Sequence, residues 1–323
     1  MRHIERLTVD DIRAAQDRIS TTVVRTPLIK LDVDAPCEIF LKLETLQPIG
    51  SFKLRGAMNA IRLLPANTVS RGVYTASAGN MAQGVAWGAR ELRVPCTVIM
   101  PDGAPRTKFD AVARLGARII TLPYAEWWQT LVDHGRAGIV GAFIHPVADA
   151  AVIAGNGTIG LEIVEDLPDL SAVLVPFGGG GLVAGIATAA RVLAPHAKVF
   201  GCEVDTATPL SAALAAGTPV AVERASSFVD GIGGRSVLPE MWPLVSTLLD
   251  GALVSSLADV GRAVRLLVER ARIVAEGAGA TPVAAALAGR AGTGKVVCVV
   301  SGGNIDMGTL IELLRPERAP VQA

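Results

Sequence analysis

The stretch AVLVPFGGGGLVAG, residues 172–185, joins an apolar run to an alanine-rich stretch through four consecutive glycines. The apolar run predicts a buried β-strand, and the residues after the glycines predict a helix. Because glycine has no Cβ, such a loop can turn successive backbone N–H groups towards one anion, and the dipole of the following helix favours the same charge. A tight strand-to-helix turn needs only one or two glycines, so four indicate a phosphate site.

The same alternation of strand and helix recurs along the chain. Further apolar, β-branched runs, each predicted as a strand, lie at 72–77, 96–101, 117–123, 198–204 and 296–303. Alanine-rich stretches, each predicted as a helix, lie at 80–93, 109–116 and 181–194. Near-continuous apolar strands are typical of parallel sheets that are covered on both faces, so we predict an α/β fold with right-handed crossovers. Ligands of such sheets bind beyond the carboxyl ends of the strands.

The bulk composition narrows the classes of function. Among the 323 residues, 30 basic side chains balance 30 acidic ones, and aromatic residues make up 4%. There is therefore no overall field to attract nucleic acid or an anionic membrane, and there are few rings on which bases could stack. The length predicts one large or two medium domains, and because no linker divides the chain, two domains would be interleaved.

The cysteines and histidines are scattered and form no short metal-binding pattern. We expect buried thiols in a reducing compartment and no zinc site. The first 19 residues are charged from the second position and lack the apolar core of a signal peptide, which predicts a cytoplasmic protein. Residues 171–190 are uncharged over a length that could span a bilayer, but the glycines and Pro176 would break such a helix, so we expect no membrane span.

Two other glycine-rich strings look like nucleotide motifs. GNGTIG, residues 155–160, matches a dinucleotide fingerprint, but the run before it is only AVIA and the next strand ends in glycines instead of an acidic residue. GRAGTGKV, residues 289–296, resembles a phosphate loop but has Val296 where a Ser or Thr must bind magnesium. We expect neither string to bind a nucleotide.

GSFKLRG, residues 50–56, places Lys53 between Phe52 and Leu54 with no carboxylate nearby in sequence. A buried ammonium without a partner is costly to desolvate. Either the lysine reaches solvent from a helix start, or the protein needs an amine that can lose its proton.

A lysine that loses its proton and a phosphate cup without magnesium ligands together suggest pyridoxal phosphate held as a Schiff base. GSFKLRG, TASAGN (75–80), FGGGG (177–181) and SGGN (301–304), in this order, resemble the tryptophan-synthase-β-like (fold type II) family of pyridoxal-phosphate enzymes. The nearest members are the threonine/serine dehydratases and serine racemases, and the resemblance runs from about Thr26 to Leu313.

The resemblance implies an architecture of two interleaved domains, each with a mostly parallel sheet flanked by helices. Residues 1–55 and 148–323 would form the large cofactor-binding domain, and residues 56–147 the small domain.

The resemblance also implies a role for each matching residue. Lys53 would hold the cofactor covalently, Phe52 would pack on its ring, and Asn80 would hydrogen-bond its ring hydroxyl. Ser301 would face the pyridine nitrogen. The phosphate would be bound by the backbone amides of Gly178, Gly179, Gly180, Gly181 and Leu182. The substrate would be bound by Ser77, Ala78, Gly79 and Met81.

Elementary electrostatics agrees with the place of the lysine. Ser51 can cap a helix that begins at Phe52, which would put Lys53 in the first turn. There the helix dipole and desolvation both disfavour an ammonium and lower the pKa of the lysine. An ion pair with a carboxylate would keep the amine protonated, which explains why none is near in sequence.

The reaction implied by the resemblance is β-elimination. We expect a dehydratase (ammonia-lyase) that converts a hydroxy amino acid such as L-threonine or L-serine to a 2-oxo acid and ammonia, with the freed Lys53 as the base. A serine, instead of an aspartate, against the pyridine nitrogen suits prompt loss of a β leaving group. Family members are commonly dimers or tetramers, so we expect a homo-oligomer.

Three departures from the family pattern leave alternatives open. Ala78 stands where racemases carry a second serine, so a serine or amino-acid racemase is an alternative that lacks its second base. Met81 replaces the usual histidine. The pair Trp127–Trp128 falls near the expected substrate entrance and either packs as a helix face or lines the pocket. In the second case the substrate would be a bulkier 3-hydroxy amino acid, such as phenylserine or hydroxyaspartate.

Metal binding and two other classes of function complete the expectations. Some relatives have a divalent-cation site that begins at the position of Glu203 and ends with an aspartate, for which this chain has Pro209, so we expect no metal. A nicotinamide oxidoreductase that uses GNGTIG would bind NAD. A relative without catalysis would bind pyridoxal phosphate and turn over no hydroxy amino acid.

Overall fold

Ten β-strands form two sheets in the computed structural model, which describes Ile4 and residues 7–315. The strands are β1 (Leu28–Lys30), β2 (Glu38–Leu43), β3 (Val73–Ala76), β4 (Cys96–Pro101), β5 (Arg118–Leu122), β6 (Ala142–Phe143), β7 (Ala172–Pro176), β8 (Lys198–Val204), β9 (Gly251–Ser255) and β10 (Lys295–Val300). The larger sheet has the order β1-β2-β10-β7-β8-β9 and the smaller one β5-β4-β3-β6. All pairs are parallel except β1 with β2.

Helices connect the strands and cover both sheets. In the described part of the chain they are α1 (Val9–Ile19), α2 (Lys53–Leu63), α3 (Ala66–Val69), α4 (Asn80–Glu91), α5 (Arg106–Ala113), α6 (Tyr124–Val132), α7 (Ala150–Asp166), α8 (Gly181–Leu193), α9 (Pro209–Ala216), α10 (Trp242–Leu248), α11 (Leu257–Leu266), α12 (Gly277–Leu287) and α13 (Met307–Leu314). None of these helices is both long enough and apolar enough to cross a membrane.

The central strand β10 shows why the sheet needs near-continuous apolar runs. Val296, Cys298 and Val300 pack into the core formed with α11 and α12. The alternate residues Val297 and Val299 pack into the opposite core, formed with α7 and α8. Because successive side chains of a strand point to opposite faces, a strand covered on both sides has to be apolar throughout. The predicted α/β fold with two sheet-containing domains is confirmed.

The predicted strands and helices agree unevenly with the structure. The six apolar runs all contain strands, β3, β4, β5, β7, β8 and β10. The helix predicted at 109–116 begins earlier, at Arg106, and ends at Ala113. Four strands were not predicted: β1, β2, β6 and β9. Strands β1 and β6 are only three and two residues long, and β2 carries charged residues that interrupt its apolar run.

The smaller sheet uses only strands between residues 73 and 143, and the larger sheet uses strands on both sides of that segment. The exact division at residues 55/56 and 147/148 stays a prediction, and α2 runs across the first of these positions. The ends of the predicted large domain, residues 1–3, 5, 6 and 316–323, lie outside the described residues.

The two decoy glycine strings have structural explanations. Residues 155–160 lie in the middle of α7, so they form no loop for a dinucleotide. A Cβ on Gly155 would lie 2.5 Å from the carbonyl oxygen of Arg55, and one on Gly157 would lie 2.9 Å from that of Gly185. These glycines therefore let neighbouring helices approach closely. Residues 289–296 connect α12 to β10, a helix-to-strand order that is wrong for a phosphate loop.

A buried ion network fixes α2 against the body of the protein. Arg55 donates to both Glu44, at 2.8 and 2.9 Å, and Glu162, at 2.6 and 2.9 Å. Lys42 pairs with Glu162 at 2.7 Å and donates to the backbone carbonyl of Thr26 at 2.6 Å. The four charged side chains are at most 4% exposed. Removing one partner from such a network leaves a buried charge uncompensated.

We predict that Arg55→Met lowers the free energy of unfolding by about 3–5 kcal/mol, because two buried carboxylates lose their main partner. Arg13→Met is the matched control: its pair with Asp10 is exposed on α1 and should cost less than about 1 kcal/mol. Urea unfolding followed by circular dichroism measures both. Equal losses for the two variants would contradict this role of the network.

Candidate active site

The glycine-rich loop follows β7 at Phe177 and ends where α8 begins at Gly181. In the described chain, the backbone amides of residues 178–183 have no hydrogen-bond acceptor, and no side chain caps the helix. Gly180 has a φ of 94°, in the left-handed region that favours glycine. Free amides at the N-terminus of a 13-residue helix form an anion site. The loop therefore fits a phosphate group.

Packing also requires some of these glycines. A Cβ on Gly179 would lie 2.6 Å from the side chain of Val147, and one on Gly181 would lie 2.9 Å from the carbonyl oxygen of Val147. The absence of side chains thus serves two purposes: it exposes amides, and it lets the loop lie against the segment around Val147.

Lys53 is the first residue of α2, one position later than the sequence predicted for the helix start. Ser51 Oγ accepts the backbone N–H of Lys53 at 3.4 Å, and the N-cap position itself is occupied by Phe52. Lys53 Nζ donates to the carbonyl oxygen of Pro146 at 2.7 Å. Burial lowers the pKa of Lys53 to about 8, against the opposing charge of Glu276. The described chain offers this amine no ion pair.

Asn80 and Glu276 form the polar side of the site. Asn80 begins α4, and its Nδ2 donates to Glu276 Oε1 at 2.9 Å. Its Oδ1 accepts from Asn304 Nδ2 at 2.8 Å. Desolvation, followed by the negative charge of Asp230, raises the pKa of Glu276 to about 7. A carboxyl with this pKa can exchange a proton near neutral pH.

Sequence reasoning missed Glu276. A signal was present: Glu276 directly precedes the uncharged glycine- and alanine-rich helix 277–287, and it is 6% exposed. A Cβ on Gly302 would lie 2.7 Å from Glu276 Oε1, which shows that the SGGN stretch needs glycine there to admit the carboxyl. The sequence did not show that these two segments meet.

Ser301 follows β10 and is 2% exposed. Its carbonyl oxygen accepts the backbone N–H of Phe52 at 3.0 Å, so it lies next to the start of α2. The hydroxyl of Ser301 has no hydrogen-bond partner among the described residues. Phe52 is 9% exposed, and its ring centroid lies 5.1 Å from Lys53 Nζ. An unpaired hydroxyl and an aromatic ring beside the amine are compatible with a bound heterocycle.

Residues 77–81 lead from β3 into α4 and form a second set of free amides. Ser77 Oγ accepts the N–H of Gly79 at 3.2 Å. The backbone amides of Ala78, Asn80 and Met81 have no acceptor in the described chain. This helix start fits a carboxylate. Met81 is 1% exposed and belongs to a core cluster formed by α2, α4, α7 and β3, whereas Ala78 packs at the edge of a neighbouring cluster.

Close contacts join these elements into one site. The carbonyl oxygen of Pro146 accepts the hydrogen bond from Lys53 Nζ, and the adjacent Val147 packs on the glycine loop. On the other side of the loop, a Cβ on Gly178 would lie 3.3 Å from the carbonyl oxygen of Gly231, and one on Gly231 would lie 3.5 Å from Glu276 Oε1. The predicted site residues on the loop, on α2 and on α4 thus surround one region between the two sheets.

Glu203 caps a helix. Its two carboxylate oxygens accept the N–H of Leu210 at 2.6 Å, and the N–H and hydroxyl of Ser211 at 2.9 and 2.6 Å. Pro209, at the first position of α9, has no N–H to donate. Glu203, which matches the start of the cation site in some relatives, therefore uses its carboxylate to cap α9. The expected absence of a metal stays a prediction.

Trp127 and Trp128 lie on α6 in the small-domain region. Trp127 packs in a cluster that includes Tyr74, Ile99 and Phe143, whereas Trp128 is 43% exposed. The packing of Trp127 agrees with the interpretation of the pair as a helix face.

A buried lysine amine beside a helix start with free amides, between the two mostly parallel sheets, defines an enzyme that binds an aldehyde cofactor with a phosphate. The chain belongs to the family of pyridoxal-phosphate dependent enzymes, whose model matches residues 19–302. The family resemblance found in the sequence is confirmed, as is the cofactor.

Individual relatives agree with this assignment. The chain is 40% identical to an L-threonine ammonia-lyase of Geobacter sulfurreducens, over 93% of this chain and 76% of that protein. Its structure is similar to that of maize serine racemase, with a TM-score of 0.87, 31% identity and coverage of 95% and 96% of the two chains. It is similar also to the threonine deaminase of Solanum lycopersicum (isoform 2, processed form), with a TM-score of 0.85, 30% identity and coverage of 94% and 91%.

We predict that Glu276→Gln changes the pH dependence of stability. The pKa of this carboxyl is raised from 4.5 to about 7, so between these values the folded protein binds more protons than the unfolded chain, and stability falls as the pH rises. The glutamine variant cannot ionise. We expect it to be more stable than the wild type by about 3 kcal/mol at pH 8 and nearly as stable as the wild type near pH 4.5.

Calorimetry of the cofactor-free chain between pH 4.5 and 8 measures this difference. Glu91→Gln, at an exposed position on α4, is the control and should follow the wild type. Parallel curves for Glu276→Gln and the wild type would show that the carboxyl is not held in its protonated form.

Proposed function

We propose that this chain is a dehydratase that converts one hydroxy amino acid, L-threonine before others, to one 2-oxo acid and one ammonia. The observation that carries the proposal is the amine of Lys53, which has no ion pair in the described chain and lies between two sets of free backbone amides. Burial lowers the pKa of this amine to about 8. The relative from Geobacter sulfurreducens, named an L-threonine ammonia-lyase, supports the choice of substrate.

Different residues of this chain would bind the phosphate, bind the substrate carboxylate and transfer the proton. Amides of the glycine loop, Gly178 to Leu182, would hold the phosphate, and the free amides of Ala78, Asn80 and Met81 would hold the substrate carboxylate. Pyridoxal phosphate, when bound, withdraws electrons from the Cα atom of the amino acid attached to it. Lys53 Nζ would accept the Cα proton of the bound amino acid.

Phe52 and three polar residues, Asn80, Glu276 and Ser301, would hold the ring of the cofactor. Ser301 has a free hydroxyl that suits the pyridine nitrogen, and Asn80 suits the ring hydroxyl. Glu276 lies beside Asn80, and its raised pKa lets it donate or accept a hydrogen bond as the charge on the ring changes.

We predict that Lys53→Ala lowers the release of 2-oxo acid by about 1000-fold or more, because the base and the point of attachment are both lost. The wild type should act best on L-threonine among L-threonine, L-serine, hydroxyaspartate and phenylserine. Lys30→Ala, at an exposed lysine of β1, is the control and should keep full activity. A coupled assay of 2-oxo acid release measures all three proteins; no release from any of these amino acids would contradict the proposal.

A racemase is the second candidate, because maize serine racemase has a similar structure. Racemisation needs a proton donor on the face of the substrate opposite Lys53, and Ala78 has no side-chain proton to give. This residue favours elimination over racemisation.

We predict that the wild type forms little D-isomer from an L-hydroxy amino acid and that Ala78→Ser raises the ratio of D-isomer to 2-oxo acid. The increase should be modest, because Met81 nearby offers no polar group to tune a serine base. Chiral chromatography of the reaction mixtures measures the ratio. Substantial D-isomer from the wild type would mean that another residue supplies the second base, and would favour the racemase.

We also propose that the protein works in the cytoplasm as a homodimer or homotetramer. The similarity to an L-threonine ammonia-lyase, an enzyme of amino-acid metabolism, supports the location, and the oligomers common in the family support the assembly. Sedimentation equilibrium that shows only monomer at micromolar concentration would contradict the second statement.

A further inference from the structure

His145 lies directly before the proline whose carbonyl holds Lys53. Its Nδ1 accepts the backbone N–H of Val147 at 3.1 Å and that of Ala148 at 2.7 Å. A neutral imidazole nitrogen that accepts hydrogen bonds carries no proton, so in this arrangement the ring proton is on Nε2. The histidine side chain therefore closes a turn, residues 145–148, by binding amides two and three residues further on.

The carbonyl of Pro146 lies inside this turn and accepts from Lys53 Nζ at 2.7 Å. The ring of His145 binds the two residues that follow Pro146, and the ring of proline restricts its own φ. The carbonyl consequently has little freedom to rotate away from the amine.

We propose that His145 is a positioning residue: by closing the turn 145–148 it holds the Pro146 carbonyl against the amine of Lys53. The inference rests on the proposed function, in which that amine is the reacting group. The Pro146 carbonyl is a neutral acceptor, so it stabilises the ammonium form of Lys53 less than a carboxylate would. It therefore opposes only part of the decrease in the Lys53 pKa that burial causes.

Neighbouring side chains hold the imidazole in place. His145 is 4% exposed, and its ring stacks on that of His134 with centroids 4.4 Å apart. The ring of Phe143 meets it edge-on at 5.9 Å. His134 Nε2 is in turn hydrogen-bonded to the carboxylate of Glu240 at 3.1 and 3.2 Å. The rings of His134 and Phe143 thus restrict rotation of the His145 imidazole.

A metal site is the other interpretation of this cluster, since His134, His145 and Glu240 offer ligand atoms within 4.8 Å of one another. Binding a metal through Nε2 of His145 would require the ring proton on Nδ1, where it would face the two backbone N–H groups. Binding through Nδ1 would break both hydrogen bonds. The hydrogen bonds therefore favour the positioning role.

Two substitutions distinguish the effect of the hydrogen-bond acceptor, Nδ1 of His145, from the effect of its buried ring. His145→Phe keeps a buried ring but has no acceptor. His145→Asn loses the ring but offers an oxygen that can bind amides two and three residues on, as Asp149 does for Ala151 and Val152 in this chain at 2.8 and 3.1 Å.

The measurement is the pH profile of the labelling of Lys53 in the full, cofactor-free chain. Trinitrobenzenesulfonate reacts with neutral amines, and mass spectrometry reports each lysine separately. We expect His145→Phe to move the midpoint of the Lys53 profile down by about one pH unit, and His145→Asn to keep it near the wild-type value. Lys30 is the internal control and should label identically in all proteins.

Other outcomes would overturn the inference. An unchanged midpoint in His145→Phe, or an equal shift in both variants, would show that the acceptor on His145 does not act on Lys53. If circular dichroism shows that His145→Phe does not fold, His145→Ala against His145→Asn makes the same comparison. A wild-type midpoint near that of an ordinary lysine would instead contradict the low pKa on which the proposed function depends.

Discussion

The amine of Lys53 is desolvated without an ion pair in the described chain, and much of the surrounding structure follows from this constraint. Burial lowers its pKa to about 8, so a useful fraction is neutral at physiological pH. A carboxylate at hydrogen-bond distance would reverse this shift. The protein supplies a carbonyl, that of Pro146, which accepts a hydrogen bond without adding a full charge.

Full charges are kept on the opposite side of the same helix. Arg55, two residues after Lys53, binds two buried carboxylates, those of Glu44 and Glu162. Because an α-helix is rigid over two residues, anchoring the guanidinium also fixes the backbone from which the Lys53 side chain extends. The buried ion network thus has a functional consequence. It anchors the helix that carries Lys53 and forms no ion pair with the lysine amine.

The sequence predicted the parts of the site that depend on local chemistry. A lysine without a nearby carboxylate and a loop of four glycines are visible as residue types at single strand–loop–helix junctions. The substrate-binding role of residues 77–81 was implied by the family resemblance and stays a prediction. Glu276 and His145 could not be found in this way, because their proposed roles depend on two contacts between distant segments, that of Glu276 with Asn80 and that of Pro146 with Lys53. Short or charged strands such as β2 were missed because packing overrode a weak local pattern.

The central claim is that Lys53 and the glycine loop hold the two ends of one cofactor. A crystal structure of the protein after borohydride reduction in the presence of pyridoxal phosphate tests it most directly. The claim predicts continuous density from Lys53 Nζ to the cofactor, with the phosphate at hydrogen-bond distance from the amides of Gly178 to Leu182. Attachment to any of the other five lysines, or a phosphate away from that loop, would contradict it.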